Sequence, residues 1–226
     1  LNDSYHAIDP VALSLGPLQI RWYGLAYVAG FICAFLVIAK LSQRWKIRIN
    51  DDAFFTVVFC VIFGVILGGR LGYVLVYGDG YYLQHPEKIL AFNEGGMSFH
   101  GGLVGVIIGG VIAAKITKIP FLTLADMGVV GVPIGLFFGR CANFINGELW
   151  GAPTDMPWGV VFGGAAGTMP RHPSQLYEAL LEGVVLFIIL FALSRKTPAR
   201  PRGTFFGTFL LFYGLFRFTI EFIRQP

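Results

Sequence analysis

Six apolar runs constrain this chain more than any other feature. They are approximately Ile20–Leu41, Ala53–Tyr77, Met97–Ile116, Phe121–Gly139, Leu176–Leu193 and Thr204–Ile223. Each is long enough to cross about 30 Å of hydrocarbon. Inside a bilayer the backbone must satisfy its own hydrogen bonds, so all six are expected to be helices. The predicted fold class is therefore all-α, a polytopic membrane helical bundle with six spans in one integral-membrane domain, residues 1–226. Composition agrees: 13% of residues are charged and 55% hydrophobic, against about 25% charged in an ordinary soluble domain. The net charge of +4 is too modest to suggest nucleic-acid binding. Cys33, Cys60 and Cys141 are odd in number and give no disulfide framework. The sequence begins at Leu1, and Leu1–Pro17 is too polar for a signal peptide.

Charge in the short loops predicts orientation. Arg44, Lys46, Arg48, Lys115, Lys118, Arg195, Lys196, Arg200 and Arg202 follow or end spans one, three and five, whereas spans two and four are followed only by Lys88 and Arg171. Nine against two places the first set in the cytoplasm and the N-terminus outside. Trp22, Tyr81, Tyr82, Trp150 and Trp158 then form an outer aromatic belt. Two outer segments are more than turns: residues 78–96, where Pro86 opens a short helical stretch to Phe92, and the Gly/Pro-rich residues 152–172. Together they are expected to cap the outer side. Glycines recur every fourth residue as Gly64/Gly68/Gly72, Gly101/Gly105/Gly109 and Gly131/Gly135/Gly139. Such stripes let neighbouring backbones approach, so spans two to four are expected to pack tightly.

Charged side chains in a membrane are costly and usually functional. Here they share a depth near the outer face: Arg70, His100, Arg140, Glu178, Glu182, and Arg217 with Glu221 and Arg224 on one helical face. Only Asp126 falls in an inner half. Arginines and a histidine at headgroup depth suit an anionic group arriving from the bilayer, since the guanidinium fork pairs with phosphate oxygens. The sequence has no Cys/His metal spacing, no P-loop and no nucleophile elbow.

Plainer roles exist for each residue. Arg70 and Arg224 could snorkel or pair with carboxylates such as Glu221. Glu178 and Glu182 read better as arginine partners than as acid–base groups. Asn143 and Asn146 could be helix-end residues, and His100 a packing histidine, although Gly101-Gly102 beside it favours an open position. Cys141 reads as packing.

The stretch from Gly139 to Gly151 reads Gly-Arg-Cys-Ala-Asn-Phe-Ile-Asn-Gly-Glu-Leu-Trp-Gly. Here, and at Arg21–Gly24, Gly68–Tyr73, Gly95–Gly102, Arg171–Glu178 and Tyr213–Pro226, the chain resembles the bacterial prolipoprotein diacylglyceryl transferase family. The resemblance covers nearly the whole chain. It implies transfer of a diacylglyceryl group from phosphatidylglycerol to the lipobox cysteine of a prolipoprotein signal peptide, in the bacterial inner membrane, with no cofactor or metal. It also implies a seventh span beyond Pro226, which the sequence lacks. On this reading His100 is the base or proton-positioning group, and Arg140 and Arg217 clamp the phosphate and stabilise the leaving group. Asn143, Asn146, Glu148 and Gly151 shape the outer rim, with Glu148 orienting Arg140. Tyr23, Arg70, Tyr213, Glu221 and Arg224 complete the phosphatidylglycerol site. Glu148 or Glu221 remains open as the proton acceptor. The alternatives are a transporter, which would need polar groups through the full depth, and a phospholipid-binding protein without chemistry.

Overall fold

A computed structural model describes residues 8–15, 18–47, 49–91, 95–195 and 200–225. Arg48, Phe92, Lys196 and Pro226, and most of Leu1–Pro17, lie outside the described residues. The chain is mostly helical, and five of its helices are long and apolar enough to cross a membrane. It packs as two compact units, one of residues 47–125 and one of the segments before and after it.

In the first unit, α2 (Asp51–Tyr77) and α4 (Phe99–Thr117) form a close pair. The Asn50 side chain caps α2 by accepting from the Ala53 N–H at 2.9 Å, and Ser98 accepts from Gly101 at 3.2 Å to cap α4. The glycine stripes set the spacing. A Cβ on Gly68 would lie 2.8 Å from the Gly105 Cα, and one on Gly72 would lie 2.6 Å from the Gly101 Cα. Backbone meets backbone there, which any larger side chain prevents. The connection carries a short α3 (Tyr81–Gln84) and a 3₁₀ turn at Pro86–Lys88, so the expected helix after Pro86 is a single turn.

The second unit begins with an antiparallel hairpin, β1 (Val11–Leu15) and β2 (Leu18–Arg21). This corrects the all-α expectation. The stretch is too short and too polar to span, so its backbone groups pair across strands instead. Next come α1 (Trp22–Arg44), α5 (Phe121–Asn146, in this unit from Asp126), α6 (Ser174–Glu178), a π-helical segment (Ala179–Val185), α7 (Leu186–Ser194) and α8 (Thr204–Glu221). The elements from Ser174 to Ser194 run as one helix. Leu41, Val129, Val130, Leu186, Leu190 and Phe205 form the core between α1, α5, α7 and α8. On α5, Gly131 faces α1: a Cβ there would lie 3.1 Å from that of Ala34. Gly183 approaches α5 so closely that an added Cβ would lie 2.7 Å from Cβ of Phe137.

Asp126, the lone inner carboxylate, is explained locally. It is buried and accepts from the backbone N–H groups of Gly203 at 2.7 Å and Phe206 at 2.8 Å. It therefore caps the start of α8 from a distant helix, satisfying donors that the α8 N-terminus would otherwise leave orphaned in an apolar setting.

Candidate active site

The Gly139–Gly151 stretch divides into a helix end and a tight return. α5 does not stop at Gly139 but continues two turns to Asn146. It ends in a Schellman motif, with Gly147 at φ 68° donating to the Phe144 carbonyl (3.0 Å) and Glu148 donating to that of Asn143 (3.0 Å). Arg140, Asn143 and Asn146 thus project from one helical terminus at i, i+3 and i+6. The return folds Glu148 back beside them. The amide nitrogens of Asn143 and Asn146 both donate to Glu148 Oε1, at 2.8 and 3.2 Å. Buried Gln175 and Ser174 fix the return from α6 by donating to the carbonyls of Glu148 (2.6 Å) and Leu149 (3.0 Å).

Gly151 closes the motif. It forms an isolated bridge with Arg224, and its N–H donates to the His172 carbonyl at 2.9 Å. A Cβ there would lie 2.7 Å from the Ile223 oxygen and 2.8 Å from Cβ of His172, so only glycine lets three chain segments meet. This approach carries Arg224 to the site. Arg171 ties the same junction by donating to the carbonyls of Ala166 (2.8 Å) and Gly151 (3.3 Å) and to the Gln225 side chain. Residues 152–172 are thereby knitted to the C-terminal segment rather than left as a free loop.

Three arginines converge on one carboxylate. Glu178, 1% exposed, lies 2.7 Å from Nε of Arg140 through Oε2; its Oε1 accepts from Arg217 at 2.9 Å and sits 3.4 Å from Nε of Arg224. Glu182, one turn further on, is fully buried and lies 3.8 Å from Arg140. At the rim, exposed Glu221 pairs with Arg217 at 2.9 Å and with Arg224 at 3.7 Å. Arg140 is held from the Ser174–Ser194 helix: among the described residues its carboxylate partners are Glu178 and Glu182. Nη1 of Arg140, Nε of Arg217 and Nη2 of Arg224 have no protein acceptor among the described residues. Each guanidinium is held by one edge and keeps donors for an anion. Tyr213 lies half-buried one turn below Arg217, stacked on Phe209 at 5.5 Å.

Three sequence candidates remain. Tyr23 is exposed in the first turn of α1. His100 is exposed in the first turn of α4, in the 47–125 unit. Arg70, also in that unit and 1% exposed, spends its guanidinium on backbone: it donates to the carbonyls of Ile89 (2.8 Å), Lys88 (2.7 Å), Gly95 and Gly96. That engagement holds Lys88–Ile89 and Gly95–Gly96 against α2. Sequence reading gave Glu178 only as an arginine partner and did not find the hydrogen-bonded row in which the Trp158 indole donates to the Tyr177 hydroxyl at 2.7 Å, itself 3.2 Å from Nδ1 of His172. Its signal was the polar run His172–Glu178 at the mouth of an apolar helix. Among the described residues no cluster of His, Cys, Asp and Glu has the arrangement of a metal site.

Five helices long and apolar enough to cross a membrane among the described residues, with a buried glutamate ringed by arginines at one end of the Ser174–Ser194 helix, are the architecture of a multi-pass membrane protein. Its sequence matches the family described as prolipoprotein diacylglyceryl transferase over residues 10–226. The chain belongs to that family. It is 55% identical over 219 residues to the phosphatidylglycerol–prolipoprotein diacylglyceryl transferase of Geobacter sulfurreducens, covering 97% of this chain and 83% of the relative. The enzymes of the same name from Cupriavidus metallidurans and Desulfotalea psychrophila are 52% identical over 226 residues and 51% over 223. They cover 96% and 97% of this chain, and 81% and 82% of their own length.

Proposed function

We infer that this chain is a phosphatidylglycerol–prolipoprotein diacylglyceryl transferase. It moves the diacylglyceryl group of phosphatidylglycerol onto the lipobox cysteine thiol of a prolipoprotein signal peptide, the first step of bacterial lipoprotein maturation. The observation that carries the site assignment is the convergence of Arg140, Arg217 and Arg224 on Glu178 with donors left over. A phosphodiester at that point is gripped by planar donors already fixed in place, so little ordering is needed on binding.

The thiol has an ordinary pKa of about 8.5 and reacts as thiolate. His100 takes the thiol proton. The sulfur forms a bond to the glycerol carbon as the carbon–oxygen bond to phosphate breaks, and that oxygen keeps the electron pair. Arg140 and Arg217 stabilise the charge that develops on the departing glycerol phosphate. The product is a thioether-linked lipoprotein precursor. Asn143, Asn146 and Glu148 form the rim, with Gly151 setting its shape, and Tyr213, Tyr23, Glu221 and Arg224 complete the lipid site. Arg70 is counted with them, its guanidinium holding Lys88–Ile89 and Gly95–Gly96.

The topology that serves this reaction has six spans, with the N-terminus and the arginine cluster outside the bacterial inner membrane and residues 78–96 and 152–172 as a periplasmic cap. At 18 residues α8 is roughly 27 Å long, close to the hydrocarbon thickness, and its two end charges, Arg217 and Glu221, neutralise each other.

A transfer assay with a lipobox peptide and headgroup-labelled phosphatidylglycerol tests this reading. Arg140→Lys keeps the charge but loses the fork and is expected to lower turnover about 10²-fold. His100→Gln is expected to lower turnover about 10²-fold. Near-normal Arg140→Lys turnover excludes the clamp, and near-normal His100→Gln turnover excludes His100 as base.

A further inference from the structure

At the opposite end of α1 and α7 from the arginine cluster lies a groove of about 510 Å³, lined by Val37, Lys40, Leu41, Arg44, Phe191 and Arg195 together with Gln43 and Ser194. Glu178 and Ser194 belong to one continuous helix, so at 1.5 Å per residue the groove is roughly 25 Å from the cluster. Its walls are apolar and its mouth is cationic. Lys40 and Arg44 are four residues apart on α1 and share a face. The Arg44 guanidinium reaches across to donate to the Arg195 carbonyl, which brings the Arg195 charge to the same opening. The Arg195 guanidinium lies 5.5 Å over the Phe191 ring, held back against the wall.

Like charges at i, i+4 repel, and a third beside them adds to the cost. Arg140, Arg217 and Arg224 meet carboxylates; here none of the three cations has a carboxylate partner among the described residues. We propose that this groove binds an anionic phospholipid of the leaflet opposite the arginine cluster, its phosphate between Lys40, Arg44 and Arg195 and its acyl chains along Val37, Leu41 and Phe191. The volume suits a headgroup with the first carbons of its chains, and basic grooves between helix ends are ready sites for acidic lipid headgroups. The bound lipid would tie α1 to α7 at the far end of the unit, independently of the transfer reaction.

The test is native mass spectrometry of the intact protein released from vesicles of phosphatidylglycerol and phosphatidylcholine. Lys40→Gln/Arg195→Gln leaves the backbone bond from Arg44 in place. It is expected to retain one phosphatidylglycerol fewer than wild type and to keep turnover within about twofold, since ΔΔG below about 0.4 kcal/mol corresponds to that change. Lys40→Gln alone, on an exposed position, is expected to reduce retention severalfold and serves if the double variant fails to fold. Unchanged retention in Lys40→Gln overturns the proposal. So does equal loss of phosphatidylcholine, which would make the groove indifferent to charge, or full displacement of the lipid by inorganic phosphate, which would make it a soluble-anion site.

Discussion

Glu178 matters because it is the only carboxylate among the described residues within reach of all three arginines. Buried ion pairs recover their desolvation cost only when every charge is compensated. Removing the hub leaves guanidinium groups without it inside the membrane-embedded helices. Glu178→Ala is therefore expected to cost about 3–5 kcal/mol of stability and to abolish transfer, measured by thermal unfolding in detergent alongside the peptide assay. Glu178→Asp keeps the charge but shortens the reach, and should recover more stability than activity. The sequence showed which charges lie at headgroup depth, and hence that Arg140, Arg217, Glu221 and Arg224 could meet. It could not show what each guanidinium would accept as partner. Arg70 has the same chemistry as Arg140, yet it finds four backbone carbonyls. Phosphate and peptide oxygens satisfy the same fork, so residue type and depth alone do not separate the two uses.

The elements differ in how far apolar pattern defined them. α2 and α4 end close to where their apolar runs end, and their glycine stripes identify the contact face. Gly105→Ala places a methyl group 2.6 Å from the Gly64 carbonyl carbon; it is expected to separate the two helices and cost about 1–3 kcal/mol, read as a lower unfolding temperature. α5 runs beyond its apolar stretch because a helix end is set by capping rather than by hydropathy, and the Schellman glycine comes at 147. The β1–β2 hairpin was illegible against six strong helical runs. Asp126 looked like an isolated inner charge because its partners are backbone N–H groups some eighty positions along the chain, which no side-chain pattern marks. Asp126→Ala is expected to fray the start of α8 and cost about 1–2 kcal/mol. Faster hydrogen exchange confined to the residues after Gly203 would confirm the cap, and uniform exchange throughout the chain would reject it.

For the whole molecule, charge asymmetry and site chemistry have to agree on one orientation. The arginine–glutamate cluster and the basic groove lie at opposite ends of the Ser174–Ser194 helix, so one faces each side of the bilayer. Basic residues near span ends favour the cytoplasmic side, so the proposed orientation has the groove inside and the cluster outside. In that proposed orientation a translocated lipobox peptide and phosphatidylglycerol would both reach the cluster from the outer leaflet. The opposite orientation would strand the basic loops outside and place Trp158 and residues 152–172 in the cytoplasm. Cysteine labelling decides between them. In a background with Cys33, Cys60 and Cys141 replaced, Asp155→Cys in the exposed cap should react with a membrane-impermeant maleimide in intact spheroplasts. Arg202→Cys, exposed just before α8, should react only after permeabilisation. The reverse pattern would exclude an outward-facing site, and with it the supply of translocated peptide on which the proposed reaction depends.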